Sequence, residues 1–94
     1  VMDYVLKTGK GVRAFLNEVG EPDTGHVQGC ITDPSYPGGP VEAELTVGDC
    51  TRTVTLHFDF QNEKERQAAL RKLDRLIEAA QHMHTLVDDA PLGD

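Results

Sequence analysis

The stretch VEAELTVGDCTRTVTLHFDFQNEKERQAALRKLDRLIEAAQHMHTLV, residues 41–87, decides the fold. Its first part alternates twice. Val41, Ala43, Leu45 and Val47 interleave with Glu42, Glu44 and Thr46, and Val54, Leu56, Phe58 and Phe60 interleave with Thr53, Thr55, His57 and Asp59. A period of two sends one set of side chains to each face, so both runs read as half-buried strands. Gly48 to Arg52 is short and turn-like, which predicts a hairpin with Val47 near Val54 and Leu45 near Leu56.

The period then changes. Asn62 is a good N-cap with Glu65 three residues on, an N-x-x-E form of the capping box, and Glu63 and Glu65 complement the positive end of the helix dipole. Leu70, Leu73, Ile77, Ala80, His84 and Val87 follow at alternating steps of three and four, widened by Ala69, Leu76 and Met83. An amphipathic helix over about 62–87 is predicted, laid across the apolar face of the hairpin. Such a helix spans about 37 Å, a seven-residue strand about 23 Å, so the helix overhangs by about two turns. That overhang is expected to meet the N-terminal half or another chain. Leu73, Leu76, Ile77, Ala80, Met83, His84 and Val87 are therefore the candidate interface, with Tyr36 as a second contact point. Pro91 stops the helix, and 88–94 reads as a flexible acidic tail after a single domain at 1–87.

The first forty residues carry weaker patterns. Met2 to Lys7 reads as a short strand and Gly9-Lys10-Gly11 as a turn. Val12, Phe15, Leu16 and Val19 fit a short helix over 11–19, with a strand at 12–16 as the competitor, because Val12, Ala14 and Leu16 also alternate. Glu21 to Gly25 reads as loop and His26 to Thr32 as a strand, with Gly29 a candidate bulge. Asp33 to Pro40, with three prolines and two glycines, is an exposed loop. The expected fold is α+β: a mostly antiparallel sheet of three or four strands, ending in the hairpin and the long helix.

Composition excludes several functions. A net charge of −7 argues against binding nucleic acid through a basic face. No apolar run approaches the roughly 20 residues that span a bilayer, and Val1-Met2-Asp3-Tyr4 lacks the shape of a signal peptide. A cytoplasmic protein is expected. Cys30 and Cys50 are too few for a disulfide framework and read as reduced thiols. Apolar content of 38% without tryptophan leaves a thin core, so part of the burial is expected from a partner or a second copy.

Candidate chemistry is sparse. Glu42 or Glu44 is expected across from His57, with Asp59 nearby; a carboxylate beside a histidine suits acid–base work, but it is also ordinary cross-strand pairing. His82 and His84, two apart on a helix, do not share a face. Thr8-Gly9-Lys10-Gly11 lacks the first glycine and the final hydroxyl of a phosphate loop. No catalytic residue, metal site or cofactor is assigned.

The strand ending His57-Phe58-Asp59-Phe60, the polar cap with Glu63 and Glu65-Arg66, then Leu70 and Lys72 to Ile77 in a long helix resemble small accessory proteins of phages that infect actinobacteria. The resemblance covers about a third of the chain. It implies a non-structural phage protein in the host cytoplasm that binds a host protein. The leading expectation is thus a small interaction module, bound to a host protein or to itself through the C-terminal helix. A small enzyme using His57, Glu44 and Asp59, or an acidic nucleic-acid mimic built on Glu42, Glu44, Asp49 and Asp59, are the competitors.

Overall fold

The computed structural model describes residues 2–6, 9–16, 25–49 and 51–93. The alternating runs pair as their register predicts. Strand β4 (Glu42–Asp49) lies antiparallel to β5 (Thr53–His57) with Val47 opposite Val54 and Leu45 opposite Leu56. The Asp49 carboxylate organises the turn between them. Its Oδ1 accepts from the Thr51 and Arg52 amides, each at 2.9 Å, and from the Thr51 hydroxyl at 3.1 Å. Three donors on one oxygen stabilise the anion, which holds this carboxyl below its ordinary pKa.

The sheet has five strands, not three or four, in the order β1-β2-β3-β4-β5, and all pairs are antiparallel. β1 is Met2–Leu6, β2 Gly9–Phe15 and β3 Gly25–Thr32. The extra strand comes from residues expected to form a turn at 9–11 and a helix at 11–19. Glycines and β-branched Val12 are weak helix formers, and β1 and β3 on either side satisfy the backbone of 9–15. The competing strand reading prevails there, and 17–19 lie outside the described residues. So do 7 and 8, which connect β1 to β2, and 21–24 of the expected loop; Gly25 already belongs to β3.

Gly29 is no bulge. It pairs regularly with Val12 and with Leu45, and a Cβ placed there would stand 3.2 Å from Val12 Cγ1 and 3.4 Å from Leu45 Cδ1. It is a close approach between two apolar side chains. Residues 33–40 form the expected exposed loop, which turns at Gly38 with φ of +78°, a conformation glycine adopts without steric cost.

Helix α1 runs Glu63–Asp89, two residues past the expected end. Asn62 Oδ1 accepts from the Glu65 amide at 2.9 Å, and Glu65 Oε1 accepts from the Gln61 amide at 3.0 Å. The capping box therefore reaches one residue further back than its usual form. Phe58 follows β5, ties its amide to Ala43 O at 2.7 Å, and is 5% exposed. It is the buried hydrophobic residue among the described ones. Lys72 joins α1 to this point: its Nζ donates to His57 O at 2.8 Å and lies 5.0 Å from the Phe58 ring centroid.

The core is accordingly small. The helix has no fully buried residue, and Ala69, Leu73 and Leu76 are its half-buried positions. The radius of gyration is 16.3 Å, against about 12 Å for a compact chain of this length. The long axis measures 59 Å.

Candidate functional site

Cross-strand partners share a face, so the register sorts the sheet. One face carries Val12, Ala14, Val27, Leu45, Val47, Val54 and Leu56; the other carries Cys30, Glu44, His57, Gln28, Thr46 and Thr55. The helix lies on the apolar face. Leu73 borders a recess of 220 Å³ together with Val12, Gly29, Ile31, Ala43, Leu45 and Phe58.

That cover is partial. The row Val27–Val47–Val54 crosses three strands, yet Val54 is 59% exposed and Val47 37%. Residues Ala69, Leu73, Leu76, Ala80, Met83 and Val87 recur at three- and four-residue steps and form one straight stripe. Its first three members are half-buried and its last three are exposed, Met83 at 58% and Val87 at 62%. Among the described residues, the stripe is thus half-buried over its N-terminal half and exposed over its C-terminal half.

The expected interface residues fall into four groups. Leu73 and Leu76 are half-buried, Leu73 against the chain's own sheet. Ala80, Met83, His84 and Val87 line an open concavity with Asp88. Ile77 stands on the flank and is exposed, as is Leu70, so the centre of the stripe runs through Ala69, Leu76 and Met83, which the heptad reading had placed beside it. Tyr36 belongs to neither surface; its ring rests on Gly39, and its carbonyl accepts from the Gly39 amide at 3.0 Å. Missed altogether were Val47 and Val54, whose alternation signals an apolar face without showing how much of it the helix covers.

The polar face brings a row of side chains together. Cys30 is opposite Glu44, and Glu44 is opposite His57. The Cys30 thiol points at Glu44 Oε1 at 3.8 Å, and His57 Nδ1 lies 3.9 Å from Glu44 Oε2. The Glu44–His57 pairing was legible from the hairpin; Cys30 was not, because its register depends on the 33–40 loop. Desolvation, then the Glu44 carboxylate, push the Cys30 thiol above its ordinary pKa. The thiolate is the nucleophilic form, and both effects disfavour it. Asp59 Oδ1 accepts the Ala43 amide at 2.8 Å and serves the backbone. Asp49 lies five residues along β4 from Glu44, about 17 Å away, so it does not continue the acidic strip of Glu42, Glu44 and Asp59.

Among the described residues no group of three His, Cys, Asp or Glu side chains is placed to hold a metal ion, and no helix is long and apolar enough to cross a membrane. No protein-family model, no curated protein and no solved structure matches the chain.

Proposed function

We propose that this chain is a small protein-interaction module that works by docking protein onto its apolar sheet face and the C-terminal half of α1. The observation that carries the reading is that Phe58 alone among the described hydrophobic residues is buried, while Val47 and Val54 of the sheet row and Ala80, Met83 and Val87 of the helix stripe are exposed. Folding draws chiefly on burial of apolar surface, and contiguous apolar patches left exposed on a protein of this size mark interaction sites. The resemblance of residues 53–87 to accessory proteins of actinobacterial phages supports a phage-encoded factor that acts in the host cytoplasm on a host protein.

The test is affinity capture from an actinobacterial lysate with the wild type and with Val54→Asp, Met83→Asp and the remote control Leu92→Ser. The reading expects capture by the wild type and the control, and at least tenfold less by the two face variants. Equal capture by all four, with assembly state also unchanged, overturns it. The competing enzyme reading rests on His57, Glu44 and Asp59; Asp59 accepts the Ala43 amide, which leaves the Glu44–His57 pair, 3.9 Å apart, as an ordinary cross-strand contact.

A further inference from the structure

The exposed half of the α1 stripe sets a geometric requirement. Ala69, Leu73 and Leu76 are half-buried, with Leu73 beside the apolar sheet face, and Ala80, Met83 and Val87 continue the same line. The surface that fits them is a second apolar sheet face in the same orientation. The chain itself carries such a surface, the Val27–Val47–Val54 row, in which Val47 and Val54 are exposed and Val27 is half-buried. We infer that the occupant is a second copy of this chain, paired about a two-fold axis so that each helix end lies on the partner's open sheet face. This deepens the docking reading above by naming the partner.

Area supports the pairing. The chain exposes 7891 Å², whereas a compact monomer of this mass exposes about 5,400 Å². Burying half of that excess on each chain removes about 2,500 Å² in total, within the roughly 2,000–5,000 Å² of obligate homodimers. A two-fold axis is satisfied because both complementary surfaces lie on one chain, and the exchange closes after two copies.

Charge agrees. Two chains of net charge −7 repel overall, so a contact through uncharged surface costs least. The Val27–Val47–Val54 row carries no charge, and Glu42, Glu44 and His57 lie on the opposite face. The pairing leaves the polar face and the Tyr36 loop free for another protein.

The experiment is molar mass by light scattering on the purified chain across a concentration series, joined to isotope-filtered NMR on mixed labelled and unlabelled chains. The expected mass is twice the 10.3 kDa of one chain, with intermolecular NOEs from the Met83 methyl to the Val47 or Val54 methyls. Met83→Asp and Val54→Asp are each expected to raise the dimer dissociation constant at least tenfold. Should either variant fail to fold, the NOEs of the wild type still decide. A monomer at every concentration overturns the pairing but leaves the docking reading to the capture test. A dimer whose NOEs avoid Met83 and the valine row also overturns it.

Discussion

Leu73 and Val87 occupy the same stripe of α1, about four turns apart, yet Leu73 is half-buried against the sheet and Val87 is 62% exposed. A helix built only to cover its own sheet has no need of an apolar residue at the second position. Leu73→Ala should cost about 2 kcal/mol in any assembly state, because it opens the recess beside Phe58. Val87→Ala should cost about 1 kcal/mol in the wild type, and less than about 0.5 kcal/mol in a monomeric Met83→Asp background. Urea midpoints of the wild type, the three single variants and the Met83→Asp/Val87→Ala double variant measure this. An identical cost of Val87→Ala in both backgrounds removes Val87 from the contact.

Stability should also follow concentration. A chain that folds as a pair is stabilised by mass action, by about 1.4 kcal/mol for each tenfold rise in protein. Melting curves by circular dichroism over a hundredfold range are expected to move upward together with the light-scattering mass. A melting temperature independent of concentration would mean that each protomer folds by its own core.

That core centres on Phe58. The side chain is 5% exposed and sits where β5, the Ala43 backbone and the Lys72 stem converge. Phe58→Ala is expected to cost about 3–5 kcal/mol, a large part of the roughly 5–15 kcal/mol that holds a domain folded. Leu92→Ala, at a position 89% exposed, should be neutral. A chain that keeps its urea midpoint after loss of the Phe58 ring would place the core elsewhere.

The hairpin and the helix start were readable because each local signal agreed with the next. Alternation set the face, the short Gly48–Arg52 turn set the register, and Asn62 with Glu65 set the helix start. Residues 9–15 were not, because Val12 falls on both a helical and a strand period and the choice rests on pairing with β1 and β3. The helix stripe was visible, but its centre shifted from Leu70 and Ile77 to Ala69, Leu76 and Met83. Rotation about a helix axis follows from tertiary packing, which a flank of leucines on both sides leaves open. The exposed Val47 and Val54 were hidden for a related reason: local sequence carries no record of where the helix crosses the sheet.

The Asp49 turn should make the hairpin acid-sensitive. Amide and hydroxyl donors lower the folded-state pKa of Asp49. Its contribution is therefore complete above the unfolded value, about 3.9, and is lost as pH falls through the lower folded value. Asp49→Asn removes the charge while keeping an acceptor oxygen. The variant is expected to be less stable than the wild type at pH 7, and the gap in urea midpoint should narrow toward pH 2. A gap that holds constant over that range would show that the carboxylate charge contributes nothing to the turn.

Cys30 offers a check on the polar row. Its thiol is raised first by desolvation and then by the neighbouring Glu44 carboxylate. In a Cys50→Ser background, alkylation by iodoacetamide at pH 7 should be slower than for an exposed cysteine in a short peptide, because little thiolate is present. Glu44→Gln removes the like charge but leaves the desolvation, so it should shift the rate profile part of the way toward lower pH and speed the reaction at pH 8. Access to the thiol is the alternative control on that rate. The two separate by their pH dependence: a steric block scales the rate equally at every pH, whereas a charge effect moves the midpoint. An unmoved midpoint in Glu44→Gln would mean that desolvation alone sets the reactivity of Cys30.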